Sequence, residues 1–450
     1  MRLLAIAIAV STVTAATHAE PVRIELDNGA VALLTPIEGS QAVAVQACYR
    51  AGIIDDPAGM PHVTHLLEHL QITSAIGDLP AGAQSDILSR AGMINAETLG
   101  DFIHYDYALP ADMLAEALGA ERDRLTKLTI ERENLRQEAF KASSEVGFVE
   151  GSPGKPLGKF AFMAAVQAWK GQDEALLKTG LTATSIDEIE MLRAQTHHPG
   201  RLLLSIVGGF DPAEAEQMLR DTIGAIEAGE TGPDSIDYAA LDPEMTIQWD
   251  PRATAVVIAY PPPEDPAERI ALSLYGQGLM MRLQGNEALQ RDVASYLTSA
   301  LAWPVGRLPY FVIAILEPGA DPAAVAEQID TIMRDPAEDG ITMQLQSFAL
   351  QLATRPRFTQ QGLQSHIDMV AQMRQLEPAA AERMVLADVA LQLAVRELLL
   401  GENPDLAADA AGLLSIDRRA ELLGALDPES RFITILKPRP ETGEPQPAQP

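Results

Sequence analysis

Basic residues are scarce: 33 lysines and arginines face 63 aspartates and glutamates, giving a formal charge of −30. That balance leaves no basic, phosphate-directed surface, so nucleic acid is excluded as the expected partner. Cysteine is nearly absent. The lone Cys48 has no mate for an intramolecular disulfide, and its setting, Ala-Val-Ala-Val-Gln-Ala-Cys-Tyr, reads as a packed strand. Aromatic residues make up only 5% of the chain, whereas Ala and Leu are abundant, which points to many helices. No run of about 18 uninterrupted apolar residues follows the first segment, so no membrane span is expected in the mature chain.

What is present points to an exported, folded protein. The 450 residues exceed one ordinary domain, and 47% of them are apolar, enough for two or three cores. Arg2, the apolar stretch Leu3 to Val10 and the small residues ending at Ala19 have the layout of a signal peptide over 1–19. A periplasmic or secreted location follows.

Alternating apolar residues over 21–26, 31–35 and 42–49, punctuated by Asp27-Asn28-Gly29, predict an opening set of strands. Helical patterns follow near 84–91, 111–127, 129–146, 184–195 and 211–227, with strand candidates at 99–108 and 202–207. Residues 229–244 are polar and turn-rich and read as a linker. Beyond it the order repeats: strands near 245–249 and 254–260, a helix over 265–284, a strand at 310–316, and helices near 322–335, 378–400 and 416–425. The chain is expected to be α+β, with two homologous domains at 20–228 and 245–436. Residues 437–450, rich in Pro, Glu and Gln, read as a disordered tail.

The chemistry concentrates in His65-Leu66-Leu67-Glu68-His69. Four-residue spacing puts both imidazoles on one helix face, where they can share a metal ion. Glu68 then reaches a metal-activated water without ligating the ion. Zinc suits two neutral histidines plus a carboxylate and lowers the pKa of bound water to about 7. The competing reading is two ordinary, partly buried histidines.

The surroundings favour the metal. Ala51-Gly52-Ile53-Ile54-Asp55-Asp56-Pro57-Ala58-Gly59, the His-x-x-Glu-His helix, Asn95-Ala96-Glu97-Thr98 and Glu131-Arg132-Glu133-Asn134-Leu135-Arg136-Gln137-Glu138 occur in that order. Together they resemble the insulinase/pitrilysin family of inverted zincins, which includes the mitochondrial processing peptidase. The resemblance implies two domains, each a mostly antiparallel sheet with helices packed on one face. It also implies Zn2+ as cofactor, His65, His69 and Glu138 as metal ligands, Glu68 as general base and Glu131 as an accessory carboxylate. Asn95 would hold a peptide substrate by its main chain. Two chains would enclose a chamber, as a homodimer or as a heterodimer with a related chain.

The second half departs from the pattern. Its matching helix, Ala267-Glu268-Arg269-Ile270-Ala271-Leu272-Ser273-Leu274, carries no His-x-x-Glu-His, so one metal per chain is expected. Tyr296 resembles the family's substrate-contacting tyrosine, yet Leu289 stands seven residues before it where the family has arginine. The expected activity is a zinc metalloendopeptidase. The alternative is a noncatalytic or partner-dependent subunit of a heterodimeric processing peptidase that binds peptides.

Overall fold

The computed structural model describes residues 21–150, 157–175, 179–229, 236–298, 306–337, 342–353 and 360–440. The expected signal peptide, the last ten residues and 230–235 within the expected linker lie outside the described residues.

In the first half, strands β1 (Val22–Glu25), β2 (Val31–Pro36) and β3 (Ala42–Tyr49) precede helix α1 (Val63–Thr73). The short β4 (Ala75–Ile76), helix α2 (Ala83–Ala91) and the hairpin β5 (Met93–Thr98) and β6 (Ile103–Pro110) follow. Next come α3 (Leu114–Lys127), β7 (Leu128–Thr129), α4 (Arg132–Glu150), α5 (Gly158–Trp169) and β8 (Glu174–Ala175). Helices α6 (Thr179–Ala183) and α7 (Ile186–Thr196), strand β9 (Leu202–Gly208) and α8 (Pro212–Asp221) complete this half. The second half opens with β10 (Glu244–Trp249), β11 (Ala255–Tyr260), α9 (Pro266–Gln284), β12 (Val293–Thr298) and β13 (Tyr310–Leu316). It ends with α10 (Pro322–Met333), α11 (Thr342–Ala353), α12 (Gln360–Arg374), α13 (Pro378–Leu400), α14 (Asp405–Leu413), α15 (Arg419–Gly424) and β14 (Phe432–Pro438).

Local sequence sets several helix starts. Asp211-Pro212, Asp265-Pro266 and Asp321-Pro322 each place a carboxylate at the N-cap, where it accepts from backbone N–H groups of the first turn. Proline follows at a position whose own N–H would have had no partner.

The two large sheets share one plan. The first runs β1-β2-β9-β3-β6-β5, and the second, read from its opposite end, runs β8-β10-β14-β11-β13-β12. In each, one inner pair is parallel (β2 with β9, β10 with β14), and the three pairs beyond it are antiparallel. This repetition supports the two-domain α+β expectation and the duplication behind it.

Each sheet packs helices of its own half on one face: α3 and α8 on the first, α9 and α10 on the second. The opposite faces are closed by exchange. Helix α5 of the first half lies in the core of the second sheet, with Phe162, Met163, Val166 and Trp169 against Trp249, Val257 and Phe311. Helix α13 of the second half lies on the first sheet, with Val385, Leu386 and Leu393 against Leu33, Ala44 and Leu203. Central strands therefore bury both faces; all eight residues of β3 are buried, Cys48 among them.

Two boundaries differ from expectation. Lys437 and Pro438 pair with Gln248 and Trp249, so the C-terminal segment is built into the sheet through its first residues and is not a tail from 437. Within the expected linker, Tyr238 is buried, its hydroxyl donates to the Arg307 carbonyl, and Glu244 already belongs to β10. Here the backbone needs of β14 and β10 outweigh the polar composition, because each strand satisfies the other's hydrogen bonds.

Arg307 clasps the halves together. Its guanidinium donates to both carboxylate oxygens of Asp55 at 2.8 Å, and to the Asp101 carbonyl at 3.2 Å. Asp101 Oδ2 in turn accepts from the Gly306 N–H at 2.9 Å. Without Arg307, Asp55 keeps the Gly52 N–H at 2.8 Å and the more distant Arg201 at 3.6 Å but loses its two-point partner, so Arg307→Met is expected to cost about 1.5–3 kcal/mol of stability, read by chemical denaturation. A change under about 0.5 kcal/mol would place the clasp with weak surface ion pairs.

Candidate metal centre

Helix α1 begins under tight control. Asp56, from the preceding loop, accepts from the His62 N–H and from both the backbone and hydroxyl of Thr64, at 2.7–2.8 Å. Those bonds satisfy first-turn donors that have no partner within the helix. Burial pushes the Asp56 carboxyl up to about 6, although Thr64 and His62 pull the other way. His62 adopts φ 68°, a left-handed conformation rare for a side chain of this size, and its buried ring lies 5.7 Å from that of Phe160. It stands at the N-cap of α1.

The loop itself is held by α5 and by the residue just after it. Gln167 Oε1 accepts from the Gly59 N–H at 2.7 Å, and Lys170 Nζ donates to the Ile54 carbonyl at 2.6 Å. Ile53 and Ile54 sit in the core of the second sheet.

Along α1, Leu66, Leu67 and Leu70 pack against Leu135, Ala139 and Ala142 of α4. The Asn134 side chain ties the two helices, accepting from the Ser74 hydroxyl at 2.9 Å. His65 and His69 are left on the remaining face, with side chains 22% and 14% exposed. Their Nε2 atoms lie 3.2 Å apart. Glu145 Oε2 lies 3.6 Å from His65 Nε2 and 3.5 Å from His69 Nε2. Donors about 2.0–2.1 Å from a tetrahedral ion stand about 3.3–3.4 Å apart, so these three atoms have the spacing of three corners of a zinc shell. Burial, followed by the neighbouring His69, holds the His65 imidazole well below its usual pKa, in the neutral form that a metal requires.

Glu138 stands elsewhere than the sequence suggested. Its Oε2 lies 3.1 Å from His69 Nδ1, the nitrogen facing away from the cluster, and its Oε1 accepts from Lys141 Nζ at 2.6 Å. The third converging donor is Glu145, while Glu138 meets His69 from its far nitrogen. Glu131 is exposed at the foot of α4. The expected set is displaced by seven residues. Glu131, Glu138 and Glu145 recur at seven-residue steps along one helix face, so spacing alone could not choose between the two settings.

Glu68 is buried, and its Oε2 accepts from the Thr98 hydroxyl at 2.6 Å. Burial raises its pKa, against the pull of Thr98 and His69. Thr98 ends β5, the edge strand of the first sheet, and Asn95 is exposed on the same strand. Asn95 Nδ2 donates to Asp106 Oδ2 at 3.3 Å, and Asp106 Oδ1 lies 2.7 Å from His104 Nδ1. Burial lowers the His104 pKa, but Asp106 outweighs it and the net shift is upward. Nothing in the spacing of His104 marked it.

Tyr296 lies on β12, the edge of the second sheet, packed against that half's core. Burial pushes its phenol up to about 12, and its hydroxyl is enclosed with no hydrogen-bond partner among the described residues. Leu289, where an arginine was sought, is fully buried, and Arg291 is exposed.

No protein-family model matches the chain, and no curated protein matches its sequence. Solved structures do match. A protease from Helicobacter pylori aligns over 94% of this chain and 100% of its own, at 15% identity and a TM-score of 0.59. An inactive domain of an M16 peptidase from Pseudomonas fluorescens aligns over 93% and 98%, at 14% identity and a TM-score of 0.57. Pitrilysin aligns over 93% of this chain but 45% of its own, at 15% identity and a TM-score of 0.55, so the chain spans about half its length. Taken with the repeated sheets, these similarities show that the chain has the two-domain α+β fold of the M16, pitrilysin-type peptidases.

Proposed function

We propose that the chain is a zinc metallopeptidase that hydrolyses peptides or unfolded polypeptides. The observation that carries this reading is the convergence of His65 Nε2, His69 Nε2 and Glu145 Oε2 within 4.8 Å of one another, beside the buried carboxylate of Glu68. Zinc at this place would polarise a peptide carbonyl and lower the pKa of a water molecule towards 7. His65, His69 and Glu145 would hold the ion, leaving one tetrahedral corner open. Glu138 would fix the orientation of His69 from its other nitrogen.

Glu68 takes the proton of the attacking water and passes it to the leaving amine. Its raised pKa suits both halves of that transfer, and the Thr98 hydroxyl holds the carboxylate in place. The peptide is bound by the free edge of β5, which adds it to the sheet as a further strand. Asn95, braced by Asp106, stands on that edge.

The chain acts after export, in the periplasm or outside the cell. No helix among the described residues is long and apolar enough to cross a membrane. The span of about half of pitrilysin supports a second chain, identical or related, as the other wall of the chamber. A partner-dependent subunit remains the second reading. The enclosed Tyr296 and the absence of arginine at 289 favour it, because the second half then leaves part of the substrate grip to a partner.

The purified chain is expected to bind one zinc ion, measured by elemental analysis. Glu145→Ala removes a ligand and should weaken zinc binding most. Glu138→Gln should weaken it by about 10–100-fold, whereas Glu131→Gln leaves it unchanged. Zinc affinity controlled by Glu131 and not by Glu145 would rule out Glu145 as the third ligand.

Glu68→Gln is expected to keep its zinc yet cleave a mixed peptide library about 10²–10⁴-fold more slowly. No bound zinc, or undiminished cleavage by Glu68→Gln, would sink the peptidase reading. Cleavage that appears only when a related chain is added would select the partner-dependent form.

A further inference from the structure

The register of the β5–β6 hairpin fixes which backbone groups face the open edge. Thr98 is opposite Ile103, and the Leu99 N–H donates to the Phe102 carbonyl. Leu99 and Phe102 are thus a hydrogen-bonded pair, and bonded pairs alternate with unbonded ones in an antiparallel ladder. Ile94, Ala96 and Thr98 consequently turn their N–H and C=O groups away from β6. They are the acceptors and donors that a bound peptide strand would use.

The last of these acceptors is already engaged. Lys159 Nζ, from the first turn of α5, donates to the Thr98 carbonyl at 3.4 Å. The Thr98 side chain meanwhile holds Glu68 at 2.6 Å. One residue therefore joins the end of the peptide-binding edge, the base and a lysine ammonium. The charge of Lys159 also bears on His62, His65 and Glu68, so the ammonium stands within electrostatic reach of the whole centre.

The simplest account is that Lys159 only caps an exposed carbonyl. That contact is long for a hydrogen bond and occupies one of three ammonium donors. The side chain is otherwise exposed. A peptide strand running along β5 would meet the Lys159 ammonium at Thr98, the last outward-facing acceptor of the edge. At this point Thr98 joins the two groups, its hydroxyl holding the Glu68 carboxylate and its carbonyl accepting from the Lys159 ammonium.

We propose that Lys159 is a further catalytic residue, donating to the carbonyl oxygen of the scissile bond and stabilising the negative charge that develops there. This rests on the peptidase reading above. When water adds to the carbonyl carbon, the π electrons move to the oxygen and the water proton goes to Glu68. Lys159 remains protonated throughout and supplies only its charge and N–H. When the C–N bond breaks, the oxygen's electron pair re-forms the carbonyl, and Glu68 returns the proton to the amine.

The test uses the full zinc-loaded chain, with Lys159→Met and Lys159→Arg. Removing one donor to a developing oxyanion costs about 10²–10³-fold in kcat. Lys159→Met is expected to show that loss with KM changed less than about two-fold, and Lys159→Arg to recover part of it. Binding gives a second readout. A fluorescent peptide should bind Glu68→Gln and Glu68→Gln/Lys159→Met alike. A phosphinic peptide, which carries a tetrahedral anion, should bind Lys159→Met about 10–100-fold more weakly than the parent chain.

Weaker binding of the plain peptide with kcat intact would overturn the proposal and leave Lys159 a ground-state contact. Unchanged kcat and unchanged phosphinic-peptide affinity would overturn it in favour of a simple cap. Loss of zinc or a lowered melting temperature in both variants would overturn it in favour of a structural role. Failure of the unmutated chain to cleave any peptide would instead remove the peptidase reading, and this role with it.

Discussion

The packing of α5 into the opposite half is the interaction on which the centre depends. This helix is buried around almost its whole circumference, and only one half can supply the walls for such a segment if the other half supplies the helix. Once seated, it fixes three things at the candidate metal site. Gln167 and the following Lys170 hold the loop at residues 52–59, which brings Asp56 to the first turn of α1. Phe160 walls in His62, and Lys159 reaches the end of β5. The histidines belong to the first half, but their alignment is secured from the second.

The reciprocal placement of α13 has a different consequence. By covering the second face of the first sheet it buries β3 and β9 completely, yet it leaves β5 at the margin. An uncovered edge is ordinarily a liability for aggregation. Here the edge is short, and its last outward carbonyl is already occupied by Lys159. Its exposed side chains, Asn95 and Glu97, are polar. These features fit an edge kept open for a transient strand and guarded against permanent ones. The second sheet has the corresponding edge in β12, but α9, the helix just before it, carries no histidine. The scaffold repeats, whereas the converging histidines and glutamate occur in the first half.

Much of this was legible in the sequence. Strand alternation and helical periodicity located most elements, and His65, Glu68 and His69 stood out because helical spacing alone brings them together. The exchange of helices was not legible. A segment such as Gly158–Trp169, apolar on every side, has no periodic face from which to read a partner, and its walls lie far along the chain, as distant as Phe432 and Leu436. Nor was the acidic register. Glu131, Glu138 and Glu145 are equivalent by spacing, and only the position of α4 against α1, set by Leu135, Ala139 and the Asn134 tie, decides which carboxylate meets Nε2 and which meets Nδ1.

That decision has a chemical logic. A histidine bound to a metal through Nε2 is best oriented by an acceptor at Nδ1, and a carboxylate there also makes the imidazole a stronger donor. Glu138 is nearly inaccessible, with its side chain 3% exposed, whereas the side chain of Glu145 is 57% exposed. The buried carboxylate is therefore the one locked by two partners, His69 and Lys141, and the accessible one is the one that faces the two Nε2 atoms. Reversing the roles would leave an unpaired charge in the packed α1–α4 interface and put the better-anchored group where adaptability is needed. The geometry that the sequence left open is thus resolved by burial: the two histidines are fixed by one helix, and the carboxylate that converges on them is the glutamate that can remain wet.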